Sequence, residues 1–242
     1  MRLTVVGSSP AWPNPGGAQS GYLVDGSASL LLDCGPGVLA RLRQLSRWPT
    51  PDAIVITHFH LDHWGDLVPW VWGSSYLEGR DDAPPVPELW VPPRGIEQLE
   101  HFGELLGFHD MFEQAFALRE YAEQVPFTAA SFTVTPIRVP HYQLDAYALR
   151  VADGGKTLAY SGDSAPSDAL AEAARDADLF VCEATLARGD LDGDPRGHLS
   201  LDEALDIHAR SGAKRFLATH RPAELPGSDG VELAYDGLVC EL

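Results

Sequence analysis

The chain has 242 residues, 45% of them hydrophobic, so it can bury a sizeable core, and α/β folds of this length often form one domain. Its 17 Lys and Arg against 35 Asp and Glu give a formal net charge of −18, and so acidic a surface repels long polyanions such as tRNA or DNA. No stretch approaches the roughly 18 consecutive apolar residues of a membrane-spanning helix. The dispersed cysteines Cys34, Cys182 and Cys240 favour a reducing compartment. We therefore expect a cytoplasmic protein without membrane contact, with one domain over residues 1–242.

The first elements are three short strands and a helix. Residues 3–7 predict a strand, and residues 21–24 and 29–33 predict two more, joined by a turn at Asp25-Gly26. A Gly-Pro-Gly turn then leads into an amphipathic helix over residues 38–47, whose apolar residues recur at helical spacing.

The most informative stretch follows an apolar strand predicted over residues 52–57. It reads His-Phe-His-Leu-Asp-His and supplies three imidazoles and one carboxylate. His58 and His60 are two residues apart, so in an extended chain their side chains point to the same side. Asp62 and His63 require the backbone to turn, which directs them to a second point. Two metal ions with imidazole and carboxylate ligands of the zinc type would satisfy this pattern.

The middle of the chain predicts helices and one strand. A helix with three tryptophans is expected to begin within residues 64–72, a strand covers residues 89–91, and a second helix covers residues 96–107. Large apolar residues recur at helical spacing over residues 108–116, which predicts an amphipathic segment that packs against another surface. We expect this segment to contribute to a homodimer.

Later candidate residues also follow predicted strands. A strand pair over residues 132–139, broken at Pro136, leads to His141, and further apolar strands end near Asp163, Glu183 and His220. Strands that end at one edge of a layered sheet bring such groups together. Alternatively, Asp163 lies in a surface turn or caps the helix over residues 167–176.

A last helix, over residues 201–211, begins with a clear cap. Ser200 and Glu203 have the spacing of a capping box, so Ser200 is mostly structural. His198 lies just before this cap and is free for another role, the alternative being an ordinary loop histidine.

The motif His-x-His-x-Asp-His resembles the signature of the metallo-β-lactamase superfamily. Pro-His at 140–141, Ser-Gly-Asp-Ser at 161–164, Glu-Ala-Thr at 183–185 and His-Leu-Ser at 198–200 resemble its ribonuclease-Z-like and cyclic-nucleotide-phosphodiesterase branch. The resemblance extends from Leu3 to about His220 and implies an α/β fold, a four-layer αββα sandwich. It also implies two divalent metal ions, zinc or else manganese. The ligands would be His58, His60 and His141 for the first ion and Asp62, His63 and His220 for the second, with Asp163 bridging.

The same resemblance assigns roles to residues around the metals. His198, Glu183 and Asp62 are the expected catalytic residues, with Glu183 orienting His198 as a general acid. Asp33 resembles a buried carboxylate that orients a ligand imidazole, or else it caps the following helix. Arg221 follows the last ligand and either contacts a substrate phosphate or is simply exposed.

A phosphodiester is the favoured substrate, because its poor alkoxide leaving group gains from a nearby acid. Relatives that process tRNA carry a basic arm, whereas only 22 positions separate His141 from Asp163 (163 − 141), filled by two strands and a turn. We therefore predict a small, cyclic-nucleotide-like phosphodiester. The alternatives are an RNA nuclease, an acyl hydrolase such as a lactonase or thioesterase, and a metal-bound sensor without turnover.

Overall fold

The computed structural model describes residues 1–77 and 85–242. Two sheets pack face to face with helices on their outer sides, the predicted four-layer αββα sandwich. The first sheet has the order β13-β1-β2-β3-β4-β5-β6 and the second the order β12-β11-β10-β9-β8-β7. No helix of the described ranges is long and apolar enough to cross a membrane.

The strands of the first sheet are β1 Arg2–Gly7, β2 Gly21–Asp25, β3 Ser29–Leu32, β4 Ala53–Val55, β5 Glu88–Val91, β6 Ala117–Glu120 and β13 Val239–Glu241. Those of the second sheet are β7 Phe127–Ala129, β8 Phe132–His141, β9 Leu144–Asp153, β10 Lys156–Tyr160, β11 Leu179–Glu183 and β12 Phe216–Thr219. The helices are α1 Val38–Gln44, α2 Leu61–Trp64, α3 Leu67–Leu77, α4 Gly95–Leu105, α5 Met111–Ala115, α6 Asp168–Ala173 and α7 Leu201–Ser211, with a 3₁₀ turn at Gly189–Leu191.

Each sheet is buried on both faces, which explains its nearly continuous apolar strands. In β3, Leu30 and Leu32 face the other sheet, while Leu31 faces the helices on the outside of the first sheet. Helices α6 and α7 cover the second sheet through a third apolar cluster.

The parallel parts of the two sheets position the site. β3 is parallel to β4, and β10, β11 and β12 are parallel to one another. Parallel strands present their carboxyl ends at the same edge. The segments that follow β3, β4, β10, β11 and β12 therefore meet where the two sheets face each other.

Two predicted elements differ from the structure. The break at Pro136 is wrong: β8 is one strand of 10 residues. β7 pairs only with the first residues of β8, up to Val134, so Pro136 lies on an edge, where proline is tolerated. Helix α1 ends at Gln44, earlier than residue 47, because Ser46 adopts a positive φ of 55° that ends the helix.

The apolar segment over residues 108–116 packs mainly within its own chain. Met111, Phe112 and Phe116 are buried in the cluster between the first sheet and its helices. Phe108 is 50% exposed and meets Trp72 edge-on, with 5.1 Å between ring centroids. The homodimer stays a prediction, and Phe108 is the large apolar residue of this segment that stays exposed for such a contact.

Candidate metal centre

The central motif leaves β4 in extended conformation and then turns. His60 is extended, with φ −76° and ψ 140°, and is the N-cap of α2. Asp62 and His63 lie in the first turn of that helix, which supplies the change of direction predicted from the sequence. The loop after β3 packs directly against the backbone of the motif. A Cβ on Gly35 would lie 1.9 Å from the carbonyl oxygen of Asp62, so only glycine allows this close packing.

The predicted ligands form two groups that share one carboxylate. The first group is His58, His60, His141 and Asp163, and the second is Asp62, His63, Asp163 and His220. Within each group, one ligand atom per residue lies within 4.8 Å of all the others. Asp163 Oδ2 is 3.9 Å from Nε2 of His58, and its Oδ1 is 3.6 Å from Nε2 of His220. Oδ2 also lies 3.3 Å from Nε2 of His63 in the second group, so the carboxylate of Asp163 is within reach of both groups, as a bridging ligand requires.

Atoms without partners indicate that these groups fit metal ions. Nε2 of His63 and Oδ1 of Asp163 are buried and have no hydrogen-bond partner within the described ranges. Leaving a buried polar atom unpaired costs about 1–3 kcal/mol. In the first group, Nδ1 of His60 lies 3.3 Å from Nε2 of His58 and 2.9 Å from Nε2 of His141, so three imidazole nitrogens converge. A divalent cation of the zinc type suits both donor sets.

The electrostatics of the two groups differ. Burial lowers the pKa of His58 well below its ordinary value, and the charge of His63 lowers it further. Burial likewise lowers the pKa of His60 and of His141, which leaves these imidazoles neutral, as metal ligation requires. Burial also lowers the pKa of His63, but the Asp163, Asp33 and Asp62 carboxylates outweigh it and hold that pKa well above its ordinary value. The second group thus attracts positive charge.

A buried carboxylate orients the ligand imidazole of the second group. Asp33 accepts a hydrogen bond from Nδ1 of His63 at 2.7 Å and others from the hydroxyl of Tyr160 and the backbone of Thr57, both at 2.8 Å. These bonds leave Nε2 of His63 facing the group. The alternative role of Asp33 as a helix cap is wrong, because the N-cap residue of α1 is Gly37 and the carboxylate that accepts from the start of this helix is that of Asp66, from the backbone of Leu39 at 2.8 Å.

Other imidazoles of the two groups are held in the same way, through the nitrogen that faces away from the group. Nδ1 of His58 donates to the hydroxyl of Thr57 at 3.0 Å, and Nδ1 of His141 donates to the carbonyl of Gly197 at 2.7 Å. Nδ1 of His220 donates to Oγ1 of Thr185 at 2.9 Å. In each case Nε2 is left for the ligand group.

Glu183 and His198 form the predicted pair. Nδ1 of His198 donates to Oε1 of Glu183 at 3.0 Å, and the backbone of Ser164 donates to the same oxygen at 2.9 Å. Oε2 of Glu183 accepts from the hydroxyl of Thr185 at 2.8 Å. Burial lowers the pKa of His198, but the charge and hydrogen bond of Glu183 outweigh it and raise the pKa to about 9.

His198 lies beside both ligand groups. Its ring centroid is 5.1 Å from that of His141 in the first group and 5.8 Å from that of His220 in the second. Because Glu183 occupies Nδ1, Nε2 is the atom that His198 presents to a substrate. The capping box of Ser200 and Glu203 is present in the structure and fixes the start of α7 just after this loop.

Two residues near the centre were not found from the sequence, and one candidate is engaged elsewhere. Asp192 accepts hydrogen bonds from the backbone of Gly197 and His198 at 2.7 and 3.0 Å, and from the hydroxyl of Tyr142 at 3.3 Å.

Arg221, suggested for a phosphate, donates instead to the carbonyls of Ala184 and Pro226 at 2.9 and 3.1 Å. It therefore joins two loops.

Known proteins resemble the chain over almost its full length. Residues 29–221, which include every ligand named above, match the family described as beta-lactamase superfamily domain. The probable metallo-hydrolase YhfI of Bacillus subtilis is 33% identical over 227 residues, covering 92% of this chain and 87% of that protein. The crystal structure of YhfI matches with a TM-score of 0.84 and 28% identity, over 99% of both chains.

Two further proteins are similar. Ribonuclease Z of Myxococcus xanthus is 27% identical over 304 residues, covering 100% of this chain and 98% of that protein. A diphosphatase of the PhnP family has a TM-score of 0.79 at 21% identity, over 100% of this chain and 97% of its own. At that identity the likeness shows a shared fold.

Proposed function

The chain belongs to the β-lactamase superfamily and is a metallo-hydrolase of that fold, and from this premise we propose that it is a phosphodiesterase for small, cyclic-nucleotide-like phosphodiesters. The observation that carries the proposal is the Glu183–His198 pair beside the two ligand groups, with 3.0 Å between the carboxylate and the imidazole. An acid at this position serves a leaving group that departs as an alkoxide.

The residues that would hold metal ions are the two ligand groups described above, and we propose two ions of the zinc type, with manganese as the alternative. Bound there, such ions would lower the pKa of water and withdraw negative charge from the attacked phosphoryl group. This chain's own residues then have to orient the diester and protonate the leaving oxygen.

His198 is suited to that proton transfer. With a pKa raised to about 9 in the metal-free chain, it carries its proton at neutral pH, and Nε2 is the atom that can give it up. Glu183 holds the imidazole in one orientation because hydrogen bonds from Ser164 and Thr185 fix the carboxylate itself. After the leaving oxygen has taken the proton, the Glu183 carboxylate favours return of a proton to the ring.

Two observations support a small substrate over a long RNA. The segment between His141 and Asp163 consists mainly of β9, β10 and short turns, since His141 pairs with Leu144 and Asp153 pairs with Lys156. It therefore contains no extruded arm. The net charge of −18 disfavours the many phosphate contacts that hold tRNA. The similarity to a protein called ribonuclease Z makes RNA cleavage the competing function.

A substrate panel tests the proposal. Protein reconstituted with zinc or with manganese is assayed on 3′,5′-cyclic AMP and GMP, bis-p-nitrophenyl phosphate, a precursor tRNA and a lactone. We expect turnover of the cyclic nucleotides and the p-nitrophenyl diester, with a higher kcat/KM than for the lactone. Specific cleavage of precursor tRNA at physiological salt, with no turnover of cyclic nucleotides, would replace the proposed function with that of an RNA nuclease.

A further inference from the structure

Tyr142 occupies a turn position that the local chain chemistry does not explain. β8 ends at His141 and β9 begins at Leu144, and these two residues pair with each other, so Tyr142 and Gln143 form a two-residue turn. Tyr142 has a φ of 49°, a conformation that favours Gly, Asn or Asp in such turns and is uncommon for a bulky residue. Its side chain is also 40% exposed. Neither turn formation nor core packing therefore accounts for a tyrosine here.

The ring of Tyr142 lies beside the metal centre. Its centroid is 4.9 Å from that of His141 and 6.4 Å from that of His60, both in the first ligand group. It is 5.6 Å from the ring of His198, at an interplanar angle of 80°. Tyr142 thus borders the space that a substrate must enter to reach both the first ligand group and the acid.

The surrounding loop fixes this ring. The hydroxyl of Tyr142 donates to Asp192 at 3.3 Å, and its backbone N–H donates to the carbonyl of Arg196 at 3.0 Å. A Cβ on Gly197 would lie 2.3 Å from the ring, so the ring packs directly on the glycine backbone. Because Asp192 engages the hydroxyl, the aromatic surface is the part of Tyr142 that remains for a ligand.

We propose that Tyr142 is a specificity-determining residue, on whose ring the purine or pyrimidine of a nucleoside phosphodiester stacks. This inference rests on the proposed function and narrows it to substrates that carry a planar base. A ribose separates the base from the phosphorus in such a diester. The base should therefore lie beside the ligand groups, where the ring of Tyr142 forms a platform for it, and not among them. Aromatic side chains accept any base in this way, since every base has a π-face.

Paired substrates test the platform by kinetics. Metal-loaded wild type, Tyr142→Phe and Tyr142→Asn are compared on 3′,5′-cyclic AMP and on methyl ribofuranoside 3,5-cyclic phosphate, which has the same diester and no base. Asn tolerates the backbone conformation of the turn, so it removes the ring without adding strain. The ratio of kcat/KM for the two substrates should fall on the order of tenfold in Tyr142→Asn, mainly through KM. Tyr142→Phe should keep the preference for the base.

Calorimetric titration gives a second measurement that does not depend on turnover. Wild type should bind AMP about tenfold more tightly than ribose 5-phosphate, and Tyr142→Asn should lose that difference. Tyr76→Asn, which removes a 77% exposed tyrosine on α3, is the matched control and should keep it.

The results separate the two proposals. Equal losses on both cyclic diesters in Tyr142→Asn would mean that Tyr142 only shapes the loop, and the platform would be rejected while the phosphodiesterase stands. A wild type that cleaves no phosphodiester would reject the proposed function. The titrations would still decide the platform, which is rejected if wild type binds AMP and ribose 5-phosphate equally.

Discussion

The two ligand groups at the sheet edge differ in charge and in exposure. The first offers three imidazoles besides the shared Asp163, and one of them, His60, is only partly buried. The second adds the carboxylate of Asp62 to two imidazoles, and all of its members are buried. The first group is thus the less charged and more open half, and the second is the deeper and more acidic half.

This difference indicates a division of roles between the halves. Tyr142 adjoins the first group only, whereas His198 adjoins both. The second is supported by Asp33, a buried carboxylate that itself accepts several hydrogen bonds. We infer that the second half mainly fixes a cation, while the first also receives the substrate. Variants that affect one half, both halves or neither can test this contrast.

Removal of the shared carboxylate should abolish the contrast and have the largest effect. Asp163→Ala deprives both groups of a ligand, so both ions should be lost and kcat should fall by about a thousandfold or more, since metal catalysis supplies several kcal/mol. Metal analysis and assays on a p-nitrophenyl diester measure both effects.

A surface aspartate provides the control for this variant. Asp178 pairs with Lys214 at 2.9 Å at the start of β11, and Asp178→Asn should keep metal content and activity. An Asp163→Ala protein that retains two equivalents of metal would show that Asp163 is not a bridging ligand.

Loss of the acid should affect chemistry and leave both halves filled. General acid catalysis contributes roughly 10²–10⁴-fold, so His198→Ala should lower kcat on a cyclic nucleotide by about that range with unchanged metal content. The loss should be smaller for p-nitrophenyl diesters, whose leaving group needs little protonation. Glu183→Gln should give a milder form of the same pattern.

Two outcomes would contradict this role for His198. Equal losses on both kinds of leaving group would make His198 a phosphate-binding residue that donates no proton. Loss of metal would make it a ligand, which is geometrically possible because Glu183, His198 and His220 also lie within ligand distance of one another.

A change at Asp33 should weaken the second half more than the first. Asp33→Asn removes the charge that orients His63, and such partners of metal ligands typically contribute 10–100-fold to metal affinity. The second ion should therefore bind about 10–100-fold more weakly, while the first should lose less, because His58 reaches Asp33 only through the hydroxyl of Thr57. Stepwise competition with a chelator measures the two affinities separately.

Asp66→Asn is the control, because Asp66 caps α1 through Leu39. This variant should lower thermal stability and leave both metal affinities intact. Equal weakening of both ions by Asp33→Asn would show that the halves are not independent.

That the candidate ligands lie together is predictable from the sequence for a physical reason. His58, His60, Asp62 and His63 are local in the chain, and a single turn of α2 determines which group each one joins. His141 and Glu183 are the last residues of β8 and β11, and Asp163 and His220 follow β10 and β12. The layered fold brings those strand ends together.

The features that the sequence did not predict depend on contacts between distant residues. Tyr142 contacts Asp192 across 50 positions, and neither residue belongs to a periodic pattern or motif. β13 has only 3 residues and forms because it pairs with β1 at the edge of the first sheet. Burial of Met111 and Phe112 depends on which surface lies opposite α5, and apolar spacing alone does not distinguish the chain's own core from a partner chain.

The smallest effect, a single proton, gives the most direct test of the contrast between the halves. In the metal-free chain, carboxylates hold the pKa of His63 well above its ordinary value, whereas burial lowers that of His58 and of His60. Ligation requires neutral imidazoles. At neutral pH, an ion that enters the second group should therefore release about one proton from His63, and an ion that enters the first group should release about none.

Calorimetric metal titrations in buffers of different ionisation enthalpy count these protons. His60→Ala isolates the second group and His220→Ala the first, and both are made in a His198→Ala background, because the raised pKa of His198 would contribute a proton of its own. The sign with pH follows from the raised pKa. The proton on His63 is present at neutral pH and is lost as pH rises through that pKa, so the difference between the variants should disappear at sufficiently alkaline pH. Equal proton release by both variants at neutral pH would show that the two groups have the same electrostatics, and that the acidic half does not hold its cation by charge.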